Sequence, residues 1–230
     1  MQPTVEDAGT EGSTAGDRAP WRAGFATLEP EVADEPLEIE GLIPDWLSGT
    51  LVRNGPAKFE AGDRELAHWF DGYAMLHAFA IEDGDVTYAN RFLDTEAYRA
   101  AEEGKMGFGE FGTDPCRSIF GRFFHLFDPS LTDNACVHVG RLADEFVAMT
   151  ETPIPIRFDP DTLETRGHLA WEQQVDGQLT TAHPLHDDRR GETVNYVTEI
   201  GRHSTYSVFA VPEGTTRQEP VASLEVDRPA

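Results

Sequence analysis

Short β-prone runs separated by tight-turn sequences recur along the chain, and this pattern constrains its fold more than any other feature. In AFAIEDGDVTYANRF, two such runs at 78–81 and 86–88 flank the pair Asp83-Gly84. An Asp-Gly pair supplies the positive φ angles that a two-residue hairpin turn requires. The sequence therefore predicts a β-hairpin at this point.

Two further segments predict hairpins. EFVAMTETPIPIRFDPDTLET has runs at 146–149 and 154–158 followed by a DPDT turn. Pro153 and Pro155 should keep the second run at a sheet edge or near a bulge, because proline cannot donate to a strand ladder. TVNYVTEIGRHSTYSVFAV predicts a third strand pair, with Gly201 near its bend.

Helix signals are few. IPDWL is at most one turn, TEAYRAAEEGKM predicts a short helix, and CRSIFGRFFHLF is a candidate apolar helix. Several hairpins at regular spacing are typical of an all-β sandwich, barrel or propeller. EDGDVTYANR and FDPDTLETRG sit at similar hairpin turns, as they would in diverged propeller blades.

The first 20 residues are rich in Gly, Thr, Ala, Asp and Glu, with Val5 as the only large aliphatic residue after the initial Met. They cannot bury enough apolar surface to order themselves, so we expect a disordered acidic tail and an ordered domain over 21–230. The chain has no apolar signal-peptide core and no apolar run long enough to span a membrane, so we expect a cytoplasmic protein, soluble or peripheral to the membrane. Cys116 and Cys136 fit neither a disulfide framework nor a CxxC site.

The charge of the chain excludes one class of partner. Its formal net charge is -24 with a pI near 4.5, whereas binding of nucleic acid requires clustered Lys and Arg. Only two of its basic residues are lysines, Lys58 and Lys105. An acidic, lysine-poor surface suits a protein that works in concentrated salt, where charge repulsion is screened. Halophilic adaptation is the favoured cause.

The stretch TTAHPLHDDRRGETVN places His183 and His186 around a proline, just before a β-rich run. A His-x-x-His pair without Cys, a third His or a helical frame is a weak metal signal. On the residues alone, the pair could be a metal site, half of one, or two ordinary histidines at a strand end.

Four stretches resemble, in this order, the carotenoid cleavage oxygenases, a family that includes the retinal pigment epithelium retinoid isomerase. They are GLIPDWLSGTLVRNGPAKFE, HWFDGYAMLHAFAIEDGDVTYANRFL, TETPIPIRFDPDTLET and TTAHPLHDDRRGETVN. The resemblance covers roughly residues 25–230, and RNGP together with HWFDG is its most specific part. The segments DPCRSIFGRFFHLF and TDNACVHV resemble the animal-type branch, meaning the β-carotene oxygenases and the isomerase.

The resemblance implies an all-β fold, the first few blades of a seven-bladed β-propeller with a few short helices. In the family, four histidines from different blades hold a non-haem Fe(II) on the propeller axis, and His183 of AHP matches the first of them. Leu185 fills the slot where a second His commonly follows the Pro, so His186 should face the other side of a strand and be structural or solvated. Glu151 of TETP matches a carboxylate that orients a ligand His from a later blade, not His183.

The other motifs are expected to be architectural. In RNGP, Gly55 and Pro56 should form a tight turn and Arg53 should pair with an inward carboxylate. In HWFDG, Asp71-Gly72 should form a turn with an aromatic anchor. The remaining histidines are expected to have no metal role: His68, His77, His125, His138, His168 and His203.

An aromatic segment, FGEFGTDPCRSIFGRFFHLF, is unusual in so acidic a chain. Its phenylalanines recur at helical spacing: Phe120, Phe123, Phe124 and Phe127. They fit either a buried helix face or an apolar patch at a substrate entrance that contacts the membrane, because carotenoids must be taken from lipid.

The resemblance implies an enzyme that uses Fe(II) and O2 to cleave a double bond of a carotenoid or apocarotenoid to aldehydes, with β-carotene cleavage to retinal favoured. The chain carries one recognisable ligand motif and about half of a family-length propeller, so we expect an amino-terminal portion of a longer enzyme. The alternative is a catalytically inactive truncated propeller or interaction module. A β-propeller hydrolase with a divalent metal is opposed by the histidine motif.

Overall fold

Three antiparallel sheets form the described part of the protein. The computed structural model describes residues 20–106 and 131–226. Each of these sheets has four or five strands, and a separate two-stranded sheet accompanies them. Strands that follow each other within a sheet mostly pair as neighbours, except that the first strand of the chain closes the far edge of the first sheet. This is the arrangement of consecutive propeller blades. The predicted all-β class and partial propeller are confirmed.

The first sheet has the strand order β1-β6-β5-β2. Its strands are β1 (Glu35–Pro36), β2 (Gly49–Lys58), β5 (Tyr73–Glu82) and β6 (Asp85–Phe92). A small hairpin of β3 (Glu60–Ala61) and β4 (Arg64–Glu65) lies between β2 and β5 in the chain. Short 3-10 turns cover Pro20–Phe25 and Trp69–Asp71.

The second and third sheets follow along the chain. The second has the order β10-β9-β8-β7 and consists of β7 (His138–Leu142), β8 (Glu145–Met149), β9 (Ile156–Phe158) and β10 (Thr165–His168). The third has the order β11-β13-β14-β15, with β12 also paired to β13. Its strands are β11 (Leu179–Thr180), β12 (Leu185–Asp187), β13 (Glu192–Glu199), β14 (Ser204–Pro212) and β15 (Glu219–Val226).

The predicted hairpins form. Glu82 pairs with Asp85, so Asp83 and Gly84 make the two-residue turn, with φ angles of 51° and 87°. These positive values are the ones that an Asp-Gly pair adopts at low cost. The β13–β14 pair likewise bends around Gly201.

One local prediction is wrong, and another holds in only one of its two forms. The run after Pro153 and Pro155 is not an edge strand, because β9 begins only at Ile156 and pairs on both sides, with β8 and β10, but it does lie beside a register irregularity in its pairing with β10. Both prolines precede the ladder and therefore cost it no hydrogen bond. Gly55-Pro56 is not a tight turn either, since both lie within β2 and a register irregularity follows Pro56.

The single α-helix of the described residues, α1 (Glu96–Glu102), confirms the short helix predicted from TEAYRAAEEGKM. Thr95 caps its first turn by accepting from the Tyr98 amide. The buried carboxylate of Asp133 accepts from the Glu96 and Ala97 amides, at 2.7 and 2.9 Å. A negative charge here stabilises the positive end of the helix, and the two hydrogen bonds fix the helix to the segment that precedes β7. The candidate helix CRSIFGRFFHLF lies outside the described residues.

The apolar core lies between neighbouring sheets. Between the first and second sheets, the buried side chains include Leu76, Leu93, Cys136, Ile156 and Phe158. Between the second and third sheets they include Leu142, Val147, Met149, Leu169 and Ala182. Face-to-face burial of this kind joins consecutive blades side by side around an axis.

Each sheet has one edge strand that we call its inner strand. In the first and second sheets these edge strands are β2 and β7, which contact each other. We call β2, β7 and the β11–β12 segment the inner strands. In a propeller these strands line the central channel. No helix in the described residues has the length and apolar composition needed to cross a membrane.

Candidate metal centre

His183 lies in the short connection between the two parts of an inner strand, β11 and β12. Its backbone N–H donates to Thr181 Oγ1 at 3.1 Å, and Asn195 Nδ2 donates to the Thr181 carbonyl at 3.1 Å. These two contacts join the loop to itself and to the neighbouring strand. His183 is exposed.

A second imidazole stands beside it. The ring centroids of His138 and His183 are 4.9 Å apart, with 59° between the ring planes. His138 opens β7 and is half-buried. Burial, followed by the neighbouring His183, lowers the pKa of His138, so the neutral ring that can bind a metal is favoured. His138 was expected to have no metal role, and its position next to His183 arises from two inner strands of different sheets.

Hydrogen bonds from the first sheet hold the start of β7 in place. Asn54 of RNGP, on β2, donates from Nδ2 to the carbonyls of Ala135 and His138, at 2.6 and 3.3 Å. Asn54 therefore acts as a clamp between two inner strands, and His138 sits at one end of it. This contact gives RNGP a structural role that sequence reasoning did not anticipate.

The TDNACVHV segment has a similar anchoring role. Asn134 accepts from the Ala74 amide at 3.0 Å and donates to the Gly72 carbonyl at 2.9 Å. Gly72 belongs to HWFDG, so this motif is fixed to the residues that precede β7. Cys136, in the same segment, is buried and donates to the Phe70 carbonyl.

His186 has separate partners. It lies on β12 opposite Thr193, and its Nδ1 is 3.1 Å from Thr193 Oγ1. Its Nε2 is 3.4 Å from Asp188 Oδ1. No metal-binding group of His, Cys, Asp or Glu with three or more members occurs among residues 20–106 and 131–226, so the structure gives His186 no site to join.

Glu151 follows β8 and is half-buried. Its carbonyl accepts from the Thr180 amide at 2.8 Å, which ties the end of β8 to β11. Its carboxylate accepts from Thr150 Oγ1 at 2.9 Å. None of the described residues brings a histidine to this carboxylate, and its expected partner, a ligand His from a later blade, stays a prediction.

A cavity of about 30 Å³ lies between the second and third sheets. Thr181 and Pro184, on either side of His183, line it together with Trp171, whose Nε1 is buried without a hydrogen-bond partner among the described residues. This volume suits about one water molecule, whereas pockets for ligands of drug size measure roughly 300–1,000 Å³. A long polyene would therefore need space other than this cavity.

The donor chemistry of the His138 and His183 rings fits a first-row transition metal such as Fe(II), because neutral imidazole is a borderline ligand suited to Fe, Cu, Ni and Zn. Two rings do not complete a catalytic centre, so further ligands would have to come from outside the described residues. The predicted entrance patch cannot be placed either, since Phe120, Phe123, Phe124 and Phe127 lie outside the described residues.

Comparison with known proteins decides the family. The sequence profile of the retinal pigment epithelial membrane protein family matches residues 25–230, nearly the whole chain. The chain belongs to the carotenoid cleavage oxygenase family. Relatives in this family include the β,β-carotene 15,15'-dioxygenase of Rattus norvegicus, which is 39% identical over 190 residues. The mitochondrial carotenoid-cleaving dioxygenase of Mustela putorius furo is 39% identical over 182 residues.

Solved carotenoid oxygenase structures agree in fold. A variant of the Synechocystis apocarotenoid oxygenase superposes with a TM-score of 0.72 at 29% identity, covering 91% of this chain and 45% of that one. A cobalt-substituted form of the same oxygenase gives 0.72 at 30% identity, with the same coverage of 91% and 45%.

The chain is shorter than these family members. The alignment with the rat relative covers 77% of this chain and 33% of that protein. For the ferret relative the shares are 76% and 34%. The chain thus spans about a third of the curated relatives' length and less than half of the solved structures' length.

Proposed function

We propose that the whole protein to which these blades belong is an Fe(II)-dependent oxygenase that cleaves a double bond of a carotenoid or apocarotenoid with O2. The products would be aldehydes, with retinal from β-carotene as the favoured case. The single observation that carries the proposal is the position of His183, at an inner strand of a carotenoid-oxygenase propeller, where it is exposed.

The iron, when bound, would supply the activation of O2. The described residues would bind the iron or position its ligands, and they would have no direct role on the substrate. His183 would bind it through a neutral imidazole, and the Thr181 and Asn195 contacts would hold the His183 loop in place. Glu151 would accept from the distal N–H of another ligand ring, which fixes the orientation of that ring and raises its basicity.

We further propose that the protein is cytoplasmic and contacts the membrane peripherally. A carotenoid dissolves in lipid, so an enzyme that acts on it needs an apolar entrance at the membrane surface. The phenylalanine-rich segment around Phe123 and Phe124 supplies candidate residues for this contact. The F123S/F124S variant should bind lipid vesicles more weakly than the native protein in a sedimentation assay, and unchanged binding would remove this part of the proposal.

The test of the proposed activity uses the whole protein as its own cells make it, purified in high salt. We expect about one iron per molecule and O2-dependent conversion of a carotenoid to aldehydes, detected by chromatography. The H183N variant should lose both the iron and the activity, while H186N should keep both. Iron-loaded protein that leaves β-carotene and apocarotenals intact would contradict the proposal.

The competing function is that of a propeller portion without catalysis that acts as an interaction module. The intact mass separates the two: a native mass near 25.5 kDa without iron would favour the module, and a mass near twice that value with iron would favour the oxygenase.

A further inference from the structure

We propose that one water molecule binds in the cavity between the second and third sheets and joins the two blades by hydrogen bonds. The water accepts from Trp171 Nε1 and donates to hydroxyl oxygens of threonines that line the cavity. The inference concerns how two blades pack against each other, so it does not rest on the proposed function.

Trp171 lies where two parts of the apolar core meet. It belongs to the connection between β10 and β11, and it packs against the core between the second and third sheets, which includes Leu142 and Met149. It also packs against Val197 and Phe209 of the third sheet. Its Nε1 is buried without a hydrogen-bond partner among the described residues. A buried donor is costly unless an acceptor reaches it, so this atom calls for a partner inside the cavity.

Hydrogen bonds fix the segment that follows Trp171 to the third sheet. The backbone N–H of Gln218 donates to the Gln173 carbonyl at 2.9 Å, and the Gln218 Oε1 accepts from the Val175 amide at 2.7 Å. Gln218 is only 2% exposed and lines the cavity. These contacts limit the positions that the indole of Trp171 can adopt, so its N–H cannot readily turn out to solvent.

The threonine hydroxyls of the cavity are arranged to accept. Thr150 and Thr152 line it, and both are buried. Thr150 Oγ1 donates to the Glu151 carboxylate at 2.9 Å, and Thr152 Oγ1 donates to the Thr132 carbonyl at 2.8 Å. A hydroxyl has one hydrogen, so each of these oxygens can only accept a further bond, whereas the indole N–H can only donate. A ligand that bridges them must both accept and donate, as water does.

The size and the walls of the cavity favour water over other ligands. Its volume is about 30 Å³, and a cavity needs roughly 10–15 Å³ to hold one water. Apolar side chains complete the wall, among them Leu142, Phe209 and Val211. A charged ligand would lose its hydration there without a counter-ion. Buried waters typically make about three hydrogen bonds, and the indole N–H and the two threonine hydroxyls supply that number of partners.

The first measurement is a crystal structure of the whole protein. We expect density for one water within about 3.2 Å of Trp171 Nε1. The second uses protein labelled with ¹⁵N-tryptophan, in which the Trp171 indole N–H should give NOE and ROE cross-peaks of opposite sign with water, the mark of a bound water. W171F identifies this resonance by its loss. W46F is the matched control, because Trp46 is 80% exposed and its N–H should give no cross-peak of this kind. Circular dichroism checks that both variants are folded, and the crystal structure decides if W171F is not.

Each outcome bears on the inference. Density for one water at Trp171 Nε1, with the cross-peaks in solution, supports it. A dry cavity that takes up xenon under pressure would overturn it, because an apolar cavity without bound water behaves in this way. A side-chain acceptor at Trp171 Nε1 in place of water would overturn it as well. None of these measurements involves iron or a carotenoid, so the oxygenase proposal stands or falls separately.

Discussion

Asn54 donates from its side-chain amide to the Ala135 carbonyl at 2.6 Å and joins the inner strands of the first and second sheets. The two residues are 81 positions apart in the chain. A second bond from the same amide reaches the His138 carbonyl at 3.3 Å. One polar side chain thus sets how the first two blades meet beside the candidate metal centre.

The N54A variant should lower the free energy of unfolding by about 1–3 kcal/mol, because it leaves the Ala135 carbonyl without its donor between two sheets. The measurement is a urea titration followed by circular dichroism. S223A is the control, since the exposed side chain of Ser223 contacts the Ser207 hydroxyl, and its loss should shift stability by less than about 0.5 kcal/mol. Equal stabilities of N54A and S223A would show that the Asn54 contact is not stabilising.

The two motif glycines should respond differently to alanine. A Cβ at Gly72 would lie 2.6 Å from both Pro56 Cβ and Phe59 Cε1, whereas a Cβ at Gly55 meets nothing within 4 Å. We expect G72A to destabilise the fold by about 1–3 kcal/mol through overpacking, and G55A to change it by less than about 0.5 kcal/mol. The melting temperatures of both variants, measured in the same buffer, test this difference. If G55A proved the more damaging of the two, the packing of Pro56 and Phe59 on Gly72 would not explain the motif.

Cys136 should be unreactive in the folded protein. Burial, with the nearby Glu151 carboxylate, raises its thiol pKa to about 12. The C116S variant, which leaves Cys136 as the one thiol, should react with iodoacetamide at pH 8 only after denaturation, as mass spectrometry would show. Because the folded pKa exceeds the ordinary value of 9.0, folding stability should also fall as the pH rises above about 9. Rapid labelling of native C116S would contradict the buried position.

The protonation of His77 should make the folding stability of the protein depend on pH. The pKa of His77 is lowered by burial and then by Arg53, and its Nδ1 lies 2.7 Å from Tyr88 Oη. As the pH falls, His77 therefore takes up a proton in the unfolded chain before it does so in the folded protein. The contribution of His77 to the free energy of unfolding is complete above about pH 6.5 and is lost as the pH falls through the folded pKa. Urea midpoints between pH 7.5 and 5 should fall less in H77Q than in the native protein. Y88F retains the imidazole and should keep the native pH dependence, and parallel curves for all three proteins would rule out His77 as the source.

Salt should stabilise the protein. A net charge of -24 repels itself, and the Debye length falls from about 10 Å at 0.1 M to about 3 Å at 1 M salt. We expect the melting temperature to rise steeply with KCl up to about 1 M and then to level off. Sucrose, which is uncharged, serves as the control and should not reproduce the steep first phase. A melting temperature that is flat in KCl would remove the argument for halophilic adaptation.

The motif RNGP shows that local residue types did not predict the backbone conformation at every position. Glycine and proline in succession are typical of turns, yet Gly55 and Pro56 lie within β2. The conformation of that segment depends on pairing with β5 and on packing against Gly72, neither of which is local. Arg53 was expected to pair with an inward carboxylate, but no such pair occurs among the described residues, where Arg53 is exposed.

The prolines of TETPIPIRF show the same limit. Their missing N–H groups predicted a strand at a sheet edge or near a bulge, because a proline within the ladder would remove one of its hydrogen bonds. The strand starts after them at Ile156, so the ladder of β9 pairs on both sides without loss. The start of a strand is set by the partners available on each side, which the local sequence does not contain.

The sequence by itself determined the hairpins and, through the family resemblance, the blade architecture, while the metal role of His183 stays a prediction. Turn chemistry and the two-residue alternation of strands are local, so Asp83-Gly84 and its flanking runs specify a hairpin wherever they occur. Tertiary structure alone decided that His138 lies beside His183. The two residues belong to inner strands of different sheets, and packing between those sheets, with the Asn54 contact, sets their separation of 4.9 Å. Contacts between strands far apart in the chain have no local signature, because each strand forms with the same alternation whichever neighbour it meets.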